Sequence, residues 1–452
     1  MKTFKIPHIF SVIFFLMLFM AVLTYILPAG EYKKDVNGNV ITGSYTKVES
    51  NSQNVLDVLK AVPIGIQNAA DVIAYVLIVG GVFGVLNKTG AINAGLNALI
   101  RRFKNSDLIL IPLIMIIFSI GGTVMGTSEE TIPFYLIVVP LFVRLGYDPI
   151  VGIATVFLGA ATGVMASTIN PFSTGIASSF AGLSMQEGIN TRFLYYILSV
   201  FLSVSYVVFY ARWVKKDIKR SFTYKSINKK DMNYETLNHD VIFTNMHKIT
   251  LMFFVVMVFI MVYGLLYKDW YMNELAMVFL GFGIVIGFVN RVRQKEFCEN
   301  FLDGARDLLM IAIVIGSARG IIIIAKDGKI LDTILNYIAV SLEDVSKYSF
   351  VIMHQFVSQF VGFFIPSSSG HASLAVPILA PVFGLVGIDK SVSVTSFQIA
   401  SGLMNMITPT NGVLVAALSV AKVGFDSWFK FFLPLYILHM ILIVIVLIFL
   451  VN

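Results

Sequence analysis

The sequence predicts an all-α polytopic membrane protein built as an inverted repeat, with two re-entrant hairpins and two broken transmembrane helices. Three observations carry that expectation. The chain is 57% hydrophobic and only 13% charged over 452 residues, a balance foreign to soluble domains. Apolar runs recur along its whole length, with room for roughly ten spans of about 20 residues each. Finally, two polar, Gly- and Ser-rich tips, Gly126–Thr131 and Pro366–Ser373, each sit between a pair of apolar runs.

The first tip carries Ser128, Glu129 and Glu130 between the runs Leu108–Ile120 and Ile132–Val143. Each run is shorter than the roughly 20 residues that crossing requires, so residues 107–145 read as a re-entrant hairpin. Two adjacent carboxylates at membrane depth are tolerated only where they line a watery cavity or are buried in protein. The second tip, Ser367-Ser-Ser-Gly-His-Ala372, lies in the corresponding hairpin, 347–386, flanked by Tyr348–Ile365 and Leu374–Val386.

Taken in order, the chain opens with Lys2 and Lys5 before the apolar residues 9–27. That run exceeds a signal-peptide core, so it reads as a retained span with its N-terminus in the cytoplasm. A mixed-charge segment, 31–62, then lies outside, and a span over 70–87 returns inward. The amphipathic stretch 91–104 bears Arg101, Arg102 and Lys104 and suits a cytoplasmic interfacial helix. After the first hairpin, an apolar helix over 149–180 is interrupted by Ser167-Thr-Ile-Asn-Pro171, where proline implies unwinding. The span 192–211 ends on Arg212, Lys215, Lys216, Lys219, Arg220, Lys225, Lys229 and Lys230. That charge marks a cytoplasmic linker, 214–247, dividing a first half (1–213) from a second (248–452).

The second half offers spans at 248–267, 274–290 and 307–325, then an amphipathic stretch, 328–344, carrying Glu343 and Asp344. After the second hairpin comes a helix over 391–420, broken at Thr408-Pro-Thr-Asn411, and a last span, 429–451. Trp213, Trp270 and Trp428 fall at span ends, where an interfacial belt places tryptophan. The net charge of +7 comes mainly from loops beside spans, so topology rather than a nucleic-acid partner explains it. Cys298 is the one cysteine, which leaves no internal disulfide.

The halves can be laid over one another. Val79-Gly-Gly-Val-Phe-Gly84 matches Ile315-Gly-Ser-Ala-Arg-Gly320, Pro140–Asp148 matches Pro381–Asp389, and Thr162-Gly-Val-Met165 matches Ser401-Gly-Leu-Met404. Glu130 then falls opposite His371. Loop charges give the two copies opposite orientation, the signature of a secondary transporter with its site at the repeat interface. Zinc-protease, serine-hydrolase and nucleotide-binding motifs do not occur in the sequence, so neither an enzyme nor a bound cofactor is expected.

Met125-Gly-Thr-Ser-Glu-Glu130, Ala166-Ser-Thr-Ile-Asn-Pro-Phe172, Ser317-Ala-Arg-Gly320, Ser369-Gly-His-Ala372 and Asn405-Met-Ile-Thr-Pro-Thr410 together resemble the YfcC family. This is the C4-dicarboxylate anaerobic carrier-like family of the ion transporter superfamily, and the likeness covers nearly the whole chain. Two positions depart from its pattern: His371 stands where Gln is expected, and Ala400-Ser401 where an acidic Gly-Asp-Gly is usual. The resemblance implies secondary transport, by antiport or symport, of a small charged metabolite across the inner (cytoplasmic) membrane. One branch looks like arginine/ornithine antiporters. Relatives are often dimers, so a homodimer is an expectation, and the bilayer and a small-molecule solute are the expected partners.

Glu129 and Glu130 are candidates to meet a cationic group, or else one of them pairs with Arg319 or caps a half-helix. Arg319, inside the apolar run Ile311–Ile324, would meet a substrate carboxylate in bidentate fashion or form a structural ion pair. Ser128, Asn170, Ser368, Ser369, His371 and Asn411 complete the candidate substrate-binding set. His371 is also a candidate carrier of a coupling proton. Ser167, Thr168, Thr408 and Thr410 at the breaks offer oxygens for a coupling Na⁺, unless they re-bond backbone freed by proline. Two carboxylates would repel a dianion, which favours a cationic amino acid. A C4-dicarboxylate or other organic anion coupled to Na⁺ or H⁺ is the alternative cargo.

Overall fold

A computed structural model describes residues 9–33, 41, 43–103, 106–224, 243–268, 270–341 and 345–451. Lys2, Lys5, Lys104, Lys225, Lys229, Lys230, Glu343 and Asp344 lie outside the described residues. The first half contains α1 (Ile9–Ile26), a two-stranded antiparallel ribbon pairing Gly30–Glu31 with Thr46–Lys47, α2 (Val55–Asn68), α3 (Ala70–Thr89), α4 (Ala91–Phe103), α5 (Leu110–Met125), α6 (Ile132–Arg144), α7 (Pro149–Met165), α8 (Ile176–Ala181) and α9 (Ile189–Lys216). The second contains α10 (Asn245–Tyr267), α11 (Met272–Val289), α12 (Gln294–Asp327), α13 (Leu331–Ser341), α14 (Lys347–Phe364), α15 (Ser368–Leu385), α16 (Lys390–Asn405), α17 (Gly412–Val420) and α18 (Phe425–Val451). Among the described residues, eight helices are long and apolar enough to cross a membrane, and two shorter apolar ones accompany them. The protein is a multi-pass, all-α membrane protein.

The repeat is visible in the packing. α12 runs antiparallel to α2 and α3: Gly84 faces Asn300 and Gly304, while Gly65 faces Gly316 and Gly320. These are corresponding pairs from corresponding helices, so the two copies are inverted with respect to each other. Small residues let the backbones approach; a Cβ added at Gly304 would sit 2.2 Å from the Gly80 carbonyl oxygen and 2.8 Å from the Gly84 Cα. The segment 31–62, expected outside, is corrected in part, because its end joins α2, which packs along the later turns of α12. α2 and α3, separated only at Ala69, together match the single 34-residue α12. The span expected at 307–325 is longer than predicted because charged residues at its start, such as Glu299 and Asp303, masked its first turns.

Each half then forms a helical hairpin whose arms meet the first part of the broken helix. α5 and α6 both pack on α7, and α14 and α15 both pack on α16. Equivalent caps start both broken helices: Asp148 accepts from the Val151 amide at 3.1 Å, and Asp389 from the Ser391 amide at 2.7 Å, each satisfying an orphan helix donor. Each arm is a single helix shorter than about 20 residues. They hold 16, 13, 18 and 18 residues, or about 20–27 Å, and a turn marks each tip. The second parts of the broken helices exchange partners between halves, with α8 against α15 and α17 against α6. The broken helices also cross directly, for a Cβ on Gly402 would lie 2.3 Å from Met165 Cα.

Trp428 corrects another expectation. It is fully buried rather than interfacial: its indole N–H donates to the Met406 carbonyl at 2.9 Å and its ring stacks on Phe432. Trp213, by contrast, is 37% exposed.

Candidate functional site

Both tips, both helix breaks and α12 converge on one cavity of about 420 Å³, within the range typical of small-molecule sites. Ser128, Glu129 and Glu130 reach it from the first tip, Ser368 and Ser369 from the second, Asn170 and Ser173 from the first break, Thr410 and Asn411 from the second, and Arg319 from α12.

The first tip is shaped by Gly126, which ends α5 in the left-handed region at φ 72°, where glycine carries no steric penalty. A side chain there would also strike Asn170, whose Nδ2 would lie 2.5 Å from the added carbon. Beyond it, the Ser128 amide donates to Glu130 Oε2 at 2.8 Å, and the Thr131 hydroxyl donates to the Ser128 carbonyl at 2.6 Å. These bonds fix the turn that presents both carboxylates to the cavity. Glu129, Glu130 and Arg319 all line the void, yet none belongs to an ion pair within 4 Å among the described residues.

The two breaks are tied back to the hairpin of their own half. Thr123 on α5 receives the Thr168 amide at 3.0 Å and donates to the Ala166 carbonyl at 3.2 Å. The Thr410 hydroxyl donates to the Phe363 carbonyl, at the end of α14, at 3.1 Å. Ser167 accepts from the Asn170 amide at 3.2 Å and from the Thr174 hydroxyl at 2.6 Å, while Thr408 and Thr410 share a hydroxyl bond of 2.8 Å. Asn170 and Asn411 cap the helices that resume, accepting from Phe172 at 2.8 Å and Leu414 at 2.9 Å. Of the four hydroxyls considered for Na⁺, Thr410 faces the cavity; Ser167, Thr168 and Thr408 lie behind it, bonded within the breaks.

His371 is displaced from its expected place at the tip surface. It does not line the cavity; it is fully buried, with its ring 4.8 Å from that of Phe397 and against Gly362. Neither ring nitrogen has a hydrogen-bond partner. It lies two positions after Ser369, a step that turns a helix by about 200°, so the two side chains point to opposite faces. Gln398 likewise serves packing, donating to the Val164 carbonyl at 2.5 Å and joining α16 to α7.

Tyr271, Phe172, Asn405 and Met272 also line the cavity and were not singled out from sequence. Tyr271 follows Trp270 and reads as one more interfacial aromatic. Asn405 belongs to the quoted Asn-Met-Ile-Thr-Pro-Thr block, where the helix break drew attention instead. Phe172 and Tyr271 are 43% and 45% exposed, with ring centroids 6.2 Å apart. They mark the cavity mouth. Because Tyr271 follows the end of α10, a helix of 23 residues that starts at Asn245, this mouth lies toward the opposite end of α10 from that start.

Membrane-crossing helices arranged as two inverted copies, with hairpin tips and helix breaks meeting at a polar cavity, define a secondary transporter. The chain belongs to the C4-dicarboxylate anaerobic carrier family, which it matches over residues 6–452. It is 31% identical, in a 482-residue alignment spanning 96% of this chain and 94% of the other, to an uncharacterized protein of Haemophilus influenzae. It is 32% identical over 379 residues, 80% of this chain and 74% of the other, to an Escherichia coli protein named "Putative basic amino acid antiporter YfcC". Two solved transporters align at 15% identity. One is YdaH of Alcanivorax borkumensis, with a TM-score of 0.46 over 98% of this chain and 97% of that one. The other is MtrF of Neisseria gonorrhoeae, with a TM-score of 0.44 over 98% and 94%.

Proposed function

We propose that the protein exchanges cationic amino acids, arginine against ornithine or a close analogue, across the cytoplasmic membrane. One observation carries this reading: two carboxylates and a guanidinium face a single cavity, and among the described residues none of them has an ion-pair partner within 4 Å. A basic amino acid offers the complementary set. Its carboxylate suits the planar fork of Arg319, and its cationic groups suit Glu129 and Glu130. A C4-dicarboxylate could satisfy Arg319 with one end, but its other end would face two like charges, at a cost of several kcal/mol. The name of the Escherichia coli relative agrees with this reading.

In this mechanism the N-terminus and the basic linker lie in the cytoplasm, and the two tips are re-entrant, dipping from opposite leaflets. Motion of the hairpin-bearing helices against α2, α3 and α12 would alternate access. Proteoliposomes loaded with ornithine should take up labelled arginine, empty vesicles should take up little, and succinate should not compete. The reading is overturned if succinate, rather than ornithine, displaces the label. Dependence of that exchange on a Na⁺ or proton gradient would identify a coupled symporter instead.

A further inference from the structure

A second cavity, of about 370 Å³, opens between α4, α6 and α10, away from the transport site. Its walls are apolar apart from Arg102; they include Gly95, Leu99, Ile137, Leu251 and Phe243. Leu251 is six residues into α10, about 9 Å from its start, so the groove lies near the Asn245 end of α10. Lys248 stands beside it, its ammonium 5.8 Å from the Phe243 ring centroid. Arg102 and Lys248 are both exposed, and among the described residues neither joins an ion pair. An apolar slot with Arg102 and Lys248 on its rim thus lies beside the amphipathic α4.

We propose that this groove binds an anionic phospholipid of the bilayer, with an acyl chain in the slot and its phosphate held between Arg102 and Lys248. The apolar wall matches hydrocarbon, and the charged rim matches the anionic headgroups that basic interhelical pockets recognise. A zwitterionic lipid would fill the slot equally well but would bring its own cation to the rim. Neutral detergent would do the same without any charge. The groove touches α6 at Ile137, two turns along from the first tip. The bound lipid therefore braces the hairpin arm against α10. This site is independent of which solute the central cavity carries.

The test uses the full-length protein purified in a neutral detergent. Its melting temperature is measured with phosphatidylglycerol, phosphatidylcholine or inorganic phosphate added, and native mass spectrometry counts retained lipid. Phosphatidylglycerol should raise the melting temperature by a few degrees and remain as one bound molecule, whereas phosphatidylcholine and phosphate should do neither. The double substitution Arg102→Ala/Lys248→Ala removes only exposed side chains and should abolish most of that shift. Ala98→Phe, which fills the slot, should do so as well, and Arg102→Lys should restore it. Equal shifts with phosphatidylcholine, a shift with phosphate alone, or a full shift in the double variant would each overturn the proposal.

Discussion

Arg319→Gln separates a substrate ligand from a structural ion pair. Arg319 faces the cavity with no carboxylate within 4 Å among the described residues, so removing its charge breaks no direct ion pair. Breaking a buried pair would cost about 3–5 kcal/mol of stability; here the expected change stays within about 0.5 kcal/mol. The loss should appear in transport instead. Charge-assisted hydrogen bonds contribute about 1.5–3 kcal/mol, which corresponds to a rise of about 10- to 150-fold in the arginine concentration giving half-maximal exchange. Arg319→Lys keeps the charge without the planar fork and should fall between. Both quantities come from one preparation, by arginine titration in ornithine-loaded proteoliposomes and thermal unfolding in detergent. An unchanged half-saturation refutes the ligand assignment. A loss of stability as large as a broken buried pair would instead mean that Arg319 holds a hairpin glutamate in place.

Glu130→Gln keeps an oxygen to accept from the Ser128 amide at 2.8 Å, so the tip should keep its shape while exchange falls at least about tenfold, the loss of one charged contact. Unaltered uptake by this variant removes the carboxylate from the site. Gly304→Ala places a methyl 2.2 Å from the Gly80 carbonyl and should cost about 1–3 kcal/mol in denaturation, whereas Gly281→Ala, with nothing within 4 Å of the added carbon, serves as the control. Trp428→Phe leaves the Met406 carbonyl without its donor and should cost about 1–3 kcal/mol, the desolvation penalty of an orphaned buried acceptor, read as a lower melting temperature.

Much of this architecture was legible because membrane hydrocarbon leaves few options. Some glycines, prolines and carboxylates inside apolar runs mark turns, breaks or a cavity, as Gly126, Glu129, Pro171 and Pro409 do, whereas Pro140, Pro377 and Pro381 stay inside helices. Hydropathy misled where burial by protein replaced burial by lipid. α2 carries Asp57, Lys60 and Gln67 and reads as a loop, yet it lies along α12. The early turns of α12 were hidden in the same way by their charges. Direction within a helix was harder still. The register that set His371 opposite Glu130 does not say which way a side chain faces, and one points into the cavity while the other packs on Phe397. Trp428 shows that a tryptophan at a helix end can belong to the core. Tyr271 at the mouth had no sequence signal beyond its aromatic character.

The contact between Gly402 and Met165 has a mechanical consequence. At that crossing the two interrupted helices lean on each other without an intervening side chain, just ahead of where each unwinds. That close approach leaves little room for either to tilt alone, so movement of one half is expected to carry the other with it. Such an interlock is what keeps a transporter from becoming a leak.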